Sequence, residues 1–399
     1  MEEITKANKS LIKQINTSSI LRAIRENGCV SRIEISKITG LTPATVSSSV
    51  NRLIKMKLVK EIGSGQSSGG RKPILLELNH ESTLILGVHI SAKEISLGIV
   101  DLDSNILATN VISVGTEKEY QSMLKLIKKG IYDLVEQTKV DFEKIVGLGV
   151  AIAGLTDPVK GIVLLFPALN WKYEKIKKDL EVEFNLPVAI ENDSRAMALG
   201  ERWFGVAKDV SNFIFMQVDV GVGSGICMDG KLLTGVTYGA GEIGHIPINT
   251  DDTLCVCGRK GCLETKISTA AIIERFGHGL RAGLNCRFCG PNDKPTIEQI
   301  VEWGNEGDEL SIDVLRETGS YIGIGLSIYI NLFNPSMIIL GGSVSKAFKI
   351  MQNHILKELR VRCFARNIQN LKLCPSSVDN INVVSAATLF ISDIFNVKQ

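Results

Sequence analysis

The sequence predicts an α/β protein in two parts, a small helical head and a much larger body of strands and helices. Three observations carry this expectation. Apolar residues recur at helical spacing through residues 17–62, the pattern changes at residue 83 to apolar runs of strand length, and the two parts differ in charge. Residues 1–72 hold thirteen Lys and Arg against five Glu and no Asp, a balance of +8, which leaves −6 for the remaining 327 residues. A basic head on an acidic body suits a partner with phosphates, although a solvated cationic face has the same composition.

In the head, Ile20, Leu21 and Ile24, then Ile33, Ile35 and Ile38, then Val46, Val50, Leu53 and Ile54 predict three short amphipathic helices. Ser31-x-x-Glu34 has the form of a capping box, Gly40 breaks the second helix, and Thr42-Pro43 places a cap and a proline at the start of the third. Two helices joined by a short glycine turn form a helix-turn-helix, with the helix from Pro43 to about Met56 as the element that reads DNA. Its polar side offers Thr42, Thr45, Ser47, Ser48, Ser49, Asn51 and Arg52 as contacts. Residues 58–62 and 74–78 read as the two strands of a wing, and the intervening loop ends in Arg71 and Lys72, both expected at the DNA, with Arg71 entering or skirting a minor groove. An exposed flexible linker is the alternative for those two residues.

The body follows from residue 83. Residues 84–88, 95–100, 106–113 and 145–153 read as strands and 120–135 as a helix. Residues 265–318 and 321–332 read as helical, and 337–340 as a strand entering the turn Gly341-Gly342-Ser343. No apolar run approaches the roughly eighteen residues of a membrane span, and the N-terminus lacks a secretory apolar segment, so a cytoplasmic protein without membrane contact is expected. In that compartment the nine cysteines read better as metal ligands or free thiols than as disulfides.

Four of the candidate ligands cluster between residues 245 and 262. His245, Cys255, Cys257 and Cys262 supply one imidazole and three thiolates, the donor set of a closed tetrahedral zinc site, and Gly258 and Gly261 permit the tight turn between them. Glu242 and Glu264 bracket the cluster, where carboxylates accept hydrogen bonds from the hydroxyls of a polyol. A second pair, Cys286 and Cys289, is open to three readings: half a metal site, a redox pair, or two free thiols.

The run Gly241-Glu242-Ile243-Gly244-His245, followed by Cys255-x-Cys257-Gly258-x-x-Gly261-Cys262-x-Glu264, resembles the signature of the ROK family, bacterial sugar-responsive repressors and sugar kinases. The resemblance extends from about residue 10 to about residue 390. It implies a winged helix-turn-helix over 1–80 with a basic linker, and a two-lobed actin-like ATPase (ROK) domain over 81–399 with a cleft between the lobes. It also implies a sugar held by Asn192 and Asp193 of the turn Glu191-Asn192-Asp193, together with Glu242, His245 and Glu264, and closed by Gly154 and Asn170. Ordinary turn residues are the alternative for the last two.

The family's kinases carry Asp-x-Gly-Gly-Thr at their phosphate loop, and the matching positions here are His89-Ile90-Ser91-Ala92-Lys93. In the second phosphate loop, Asp219-Val220 stands in place of Gly-Thr. The expectation is a DNA-binding, sugar-responsive regulator, a repressor of carbohydrate-utilisation genes with xylose as one candidate sugar. It has no catalytic residue and acts as a homodimer or higher homo-oligomer on operator DNA. A sugar kinase with an added head, using Asp193 as its base, is the alternative, and a thiol sensor built on Cys286 and Cys289 is a third.

Overall fold

The computed structural model describes residues 16–64, 72–79, 83–116, 118–248, 252–290 and 292–395. Arg71 lies outside the described residues. The chain forms two compact units, Met1–Asp193 with Asn380–Gln399, and Ser194–Asp379.

The first unit opens with the head. Helix α1 occupies 16–27, followed by β1 (Val30–Ser31), α2 (Arg32–Thr39), α3 (Pro43–Lys55), β2 (Val59–Ser64) and β3 (Ile74–Leu78). The three strands form an antiparallel sheet in the order β1-β3-β2, so the expected wing gains a short third strand. The caps fall where the sequence puts them. Ser31 Oγ accepts from Glu34 N–H while Glu34 accepts from Ser31 N–H, Gly40 ends α2 at φ 70°, and Thr42 caps α3 ahead of Pro43. Ile20, Leu21, Ile24, Ile35, Val46, Val50, Leu53 and Leu76 make the core. Ile33 and Ile38 do not join it, being 63% and 51% exposed, because an eight-residue helix packed by one stripe has room to bury only Ile35.

The rest of this unit is β4 (Leu84–Ile90), β5 (Glu94–Asp101), β6 (Ile106–Ser113), α4 (Tyr120–Thr138) and β7 (Ile145–Ile152), then β8 (Leu155–Asp157), β9 (Ile162–Phe166), β10 (Trp171–Glu174), α5 (Ile176–Phe184) and β11 (Val188–Asn192). A five-stranded sheet runs β11-β7-β4-β5-β6, with β11, β7 and β4 parallel and β5 and β6 antiparallel, and β8, β9 and β10 make a small separate antiparallel sheet. Strand alternation sorts β4 into two faces. Leu86, Val88 and Ile90 pack with Met123, Ile127 and Ile131 of α4 and Leu180 of α5. Gly87 and His89 share the opposite face, where the C-terminal helix Ile381–Phe395 lies so close that a Cβ on Gly87 or Gly149 would collide with the Val383 or Ala386 carbonyl.

The second unit contains α6 (Asp193–Phe204), whose first residue closes the preceding unit, then β12 (Phe213–Val218), β13 (Val222–Met228), β14 (Lys231–Leu232), α7 (Glu264–Ile267), α8 (Thr269–Arg281), α9 (Ile297–Asn305), α10 (Glu309–Phe333), β15 (Met337–Gly341), α11 (Phe348–Arg362), α12 (Ala365–Ile368) and β16 (Lys372–Pro375). Its sheet is again five-stranded and mixed, β14-β13-β12-β15-β16. Long helix α10 packs along α11 beside it. None of the helices described is long and apolar enough to cross a membrane.

Candidate functional site

The cysteine cluster is a knuckle built by two isolated antiparallel bridges, Pro247 with Cys262 and Leu254 with Lys260. Gly258 and Gly261 take φ of 83° and 71°, a left-handed conformation that a side chain would strain. His245 ends the 3-10 turn Ile243–His245 and aims Nδ1 at the Cys255 sulfur, 3.5 Å away, while the Cys257 and Cys262 sulfurs are 3.7 Å apart. All four donor atoms lie within 4.8 Å of one another. Bond lengths of about 2.3 Å to sulfur and about 2.0 Å to nitrogen give tetrahedral edges of about 3.7 and 3.5 Å, so these spacings suit one metal ion. A disulfide, near 2.05 Å, is not what this geometry describes.

The thiols are held unequally. Burial is the main cause that pushes Cys255 up to about 12, and burial also raises Cys262. Burial acts the same way on Cys257, but hydrogen bonds from the Arg259 backbone and side chain and from both other cysteines outweigh it and bring this thiol down to about 6. Glu264, the first residue of α7, lies against the knuckle: Cys255 Sγ donates to Oε1 at 3.6 Å, and Oε2 accepts from Val222 N–H at 3.0 Å. Glu242 is exposed immediately before the His245 turn.

In the first unit, Asn192 ends β11 and Asp193 follows it. The Asn192 amide donates to Gly154 O at 3.3 Å and to Asp193 Oδ1 at 3.1 Å, so three of the expected sugar residues are neighbours. Gly154 admits no side chain, since a Cβ would stand 2.8 Å from Leu165 O. Asn170 sits in a turn of its own, left-handed at φ 57° and exposed. One neighbour of Asp193 was not expected as a site residue. His89, 3% exposed, places Nε2 3.7 Å from Asp193 Oδ2, and neither ring nitrogen has a hydrogen-bond partner. A buried polar residue inside the apolar run 84–90 was the available signal.

Residues 91–94 close the β4–β5 hairpin on themselves. Ser91 Oγ accepts from the Lys93 and Glu94 amides at 3.3 and 3.0 Å and donates to Glu94 O at 2.9 Å. Those amides therefore point at a serine. In the second unit Asp219 Oδ2 accepts from Ser343 N–H at 3.4 Å and Ser343 Oγ at 3.1 Å, so a carboxylate closes the turn after β15.

On α3, Ser48, Asn51 and Arg52 are exposed and Ser47 is half-buried. Thr42 and Thr45 share a hydrogen bond at 2.9 Å across the cap. Ser49 corrects the expectation: it is only 7% exposed, on the stripe of Val46, Val50 and Leu53, and faces the head's core. Arg32 of α2 donates to Asn51 Oδ1 at 3.1 Å and lies 3.0 Å from Glu61 Oε1, a link the helical spacing alone does not show. An open groove beside α3 is lined by Asn51, Ile54, Lys55, Lys57, Val59, Lys60, Glu61 and Asn79, and Lys72 is exposed two residues before β3. Cys286 and Cys289 flank a loop tied to Asp308, whose Oδ1 accepts from Arg287 N–H at 2.8 Å, and burial pushes the Cys289 thiol up to about 12.

Comparison with known proteins follows this division of the chain. A family model described as "ROK family" matches residues 85–392, and one described as "Winged helix-turn-helix DNA-binding" matches 14–60. The chain is 32% identical over 395 residues to the xylose repressor of Caldicellulosiruptor bescii, covering 98% of this chain and 99% of that protein. It is 30% identical to the DNA-binding transcriptional dual regulator NagC of Escherichia coli K12 over 382 residues, 96% of this chain and 93% of the other. A crystal structure of a ROK family transcriptional regulator, a homologue of the E. coli MLC protein, superimposes with a TM-score of 0.87 at 30% identity, covering 96% of this chain and 97% of that one.

Proposed function

The chain belongs to the ROK family, with a winged helix-turn-helix ahead of the family's two-lobed actin-like body, and we propose that it represses carbohydrate-utilisation genes until a sugar binds. The observation that carries this reading is that similarity to a protein named xylose repressor spans both parts, head and body, over 98% of the chain. In this reading residues 1–80 bind operator DNA and 81–399 bind the sugar. The DNA contacts are Thr42, Thr45, Ser47, Ser48, Asn51 and Arg52 of α3 with its cap, with Lys72 beside them and Arg71 at a minor groove. The residues proposed for the sugar are Gly154, Asn170, Asn192, Asp193, Glu242, His245 and Glu264. Xylose is the first sugar to test, and N-acetylglucosamine the second.

Zinc is the metal proposed for His245, Cys255, Cys257 and Cys262. Its chemistry is structural: four protein donors fill a tetrahedral shell and leave no open position for a reaction. With Nδ1 turned to the sulfurs, His245 retains Nε2 for a sugar hydroxyl. We read the protein as a cytoplasmic homodimer or higher homo-oligomer, since paired heads gain specificity from half-site spacing. Sugar binding relieves repression only if it favours one conformation over the other.

The same reading makes the protein a sensor and not an enzyme. Amides that a phosphate loop would aim at ATP are taken by Ser91 Oγ, and Asp219 puts negative charge where a phosphate would arrive. A kinase remains the second reading, favoured by Asp193 at the position of the kinases' base. Selecting bound fragments from a random DNA pool with the zinc-loaded protein, then titrating sugars into the complex, tests the proposal. Release of DNA by a sugar without ATP supports it. ATP-dependent phosphorylation of any sugar, abolished by D193N, would replace it with the kinase.

A further inference from the structure

Resting on the proposed sugar site, we propose that His89 is a specificity-determining residue that acts with Asp193 to hold one hydroxyl of an unphosphorylated sugar.

The geometry has three parts. His89 is 97% buried, since only 3% of it is exposed, and both of its ring nitrogens lack a hydrogen-bond partner. Leaving a buried imidazole without partners is unfavourable, a cost that a ligand polar atom would remove. Nε2 faces Asp193 Oδ2 at 3.7 Å, too far for a direct hydrogen bond and close enough for one oxygen, about 2.8 Å from each, to bridge them. The position is also rigid. His89 lies one residue before the end of β4, paired with Ala151 of β7 and Ser96 of β5, both small residues.

Chemistry decides what the bridging oxygen is. With its hydrogen on Nε2, His89 donates, and the Asp193 carboxylate only accepts. A hydroxyl does both, receiving from His89 and donating to Asp193. A phosphate ester at the same place brings acceptor oxygens and negative charge against the Asp193 carboxylate, which repels it. His89 therefore selects for a free hydroxyl, and a group that donates from this position replaces the carboxylate that the family's kinases place there.

The test is calorimetric titration of the full-length, zinc-loaded protein with xylose, glucose and N-acetylglucosamine, each beside its terminal phosphate ester, and with monodeoxy forms of whichever sugar binds. A free sugar is expected to bind more tightly than its phosphate. H89L is expected to weaken that sugar about tenfold, and one deoxy sugar is expected to lose the same factor on the wild type and nothing further on H89L. H89N, smaller and still a donor, repeats the comparison if H89L does not fold, and is expected to fall between the two. A sugar that binds wild type and both variants equally, or a phosphate ester that binds best, overturns the role of His89 and leaves the sugar-sensor reading standing. No binding of any sugar to the wild type overturns both.

Discussion

The carboxylate of Glu264 joins the cysteine cluster to the backbone of Val222: Oε2 accepts from the Val222 amide at 3.0 Å while Oε1 receives the Cys255 thiol at 3.6 Å. The cysteine knuckle and the first residue of β13 thus share one side chain. With a metal bound, Cys255 is a thiolate that no longer donates to Glu264, so the Val222 amide is the bond that holds this carboxylate in both states. Metal analysis of the purified protein is expected to give about one zinc per chain, and C257S is expected to lose it. Sugar affinity should then fall along with the melting temperature, by several degrees or more for a loss of about 2 kcal/mol. Full zinc content in C257S would contradict the assignment.

Substitution of Asp193 separates the two functional readings within one residue. D193N removes an acceptor that a sugar hydroxyl needs and leaves the head untouched, so sugar affinity should drop about tenfold or more while DNA affinity without sugar stays the same. Anisotropy with labelled DNA and calorimetry with the sugar give the two numbers.

Two neighbouring residues on α3 make a sharp contrast. Arg52 is exposed and Ser49 is buried. R52A should weaken DNA binding and reduce the salt slope by about one, as expected for a lost phosphate contact, whereas S49A should leave both unchanged. A large effect of S49A on DNA affinity at unchanged stability would put that hydroxyl at the interface after all.

Asp308 supplies a pH test away from the site. Burial works against its charge, but bonds from Arg287 N–H, Ser311 N–H and Ser311 Oγ outweigh this and hold the carboxyl below the ordinary aspartate range. A group depressed in this way contributes stability that is fully present above its unfolded-state value and lost as pH falls through the folded one. D308N should therefore cost about 2 kcal/mol near neutral pH, from the lost helix cap and strained loop, and the gap to wild type should shrink below the ordinary aspartate range. Denaturant melts across pH measure it.

Much of this was legible in residue order. Ser31, Glu34, Gly40 and Thr42 announce their caps because capping is local, and the runs at 84–90 and 145–152 announce buried strands because nothing polar but His89 interrupts them. The grouping of His245, Cys255, Cys257 and Cys262 was legible because the four lie within eighteen positions of one another in sequence. The small sheet of β8, β9 and β10 was not, since strands of three to five residues carry too little alternation to separate them from loops. Nor was the meeting of His89 with Asp193, 104 positions apart, which depends on β4 and β11 flanking β7 in one sheet. Ser49 was misplaced for a simpler reason. Its spacing of three from Val46 and four from Leu53 puts it on the buried stripe, and polarity alone was read as exposure.

In the proposed mechanism sugar alone controls DNA binding. Its most direct test is the affinity of the full-length, zinc-loaded protein for its selected DNA, measured by anisotropy with and without saturating xylose or N-acetylglucosamine, ATP absent. One sugar is expected to weaken DNA binding about tenfold or more, with no sugar phosphate formed when ATP is later added. DNA affinity indifferent to every sugar, accompanied by ATP-dependent phosphorylation of one of them, would contradict it.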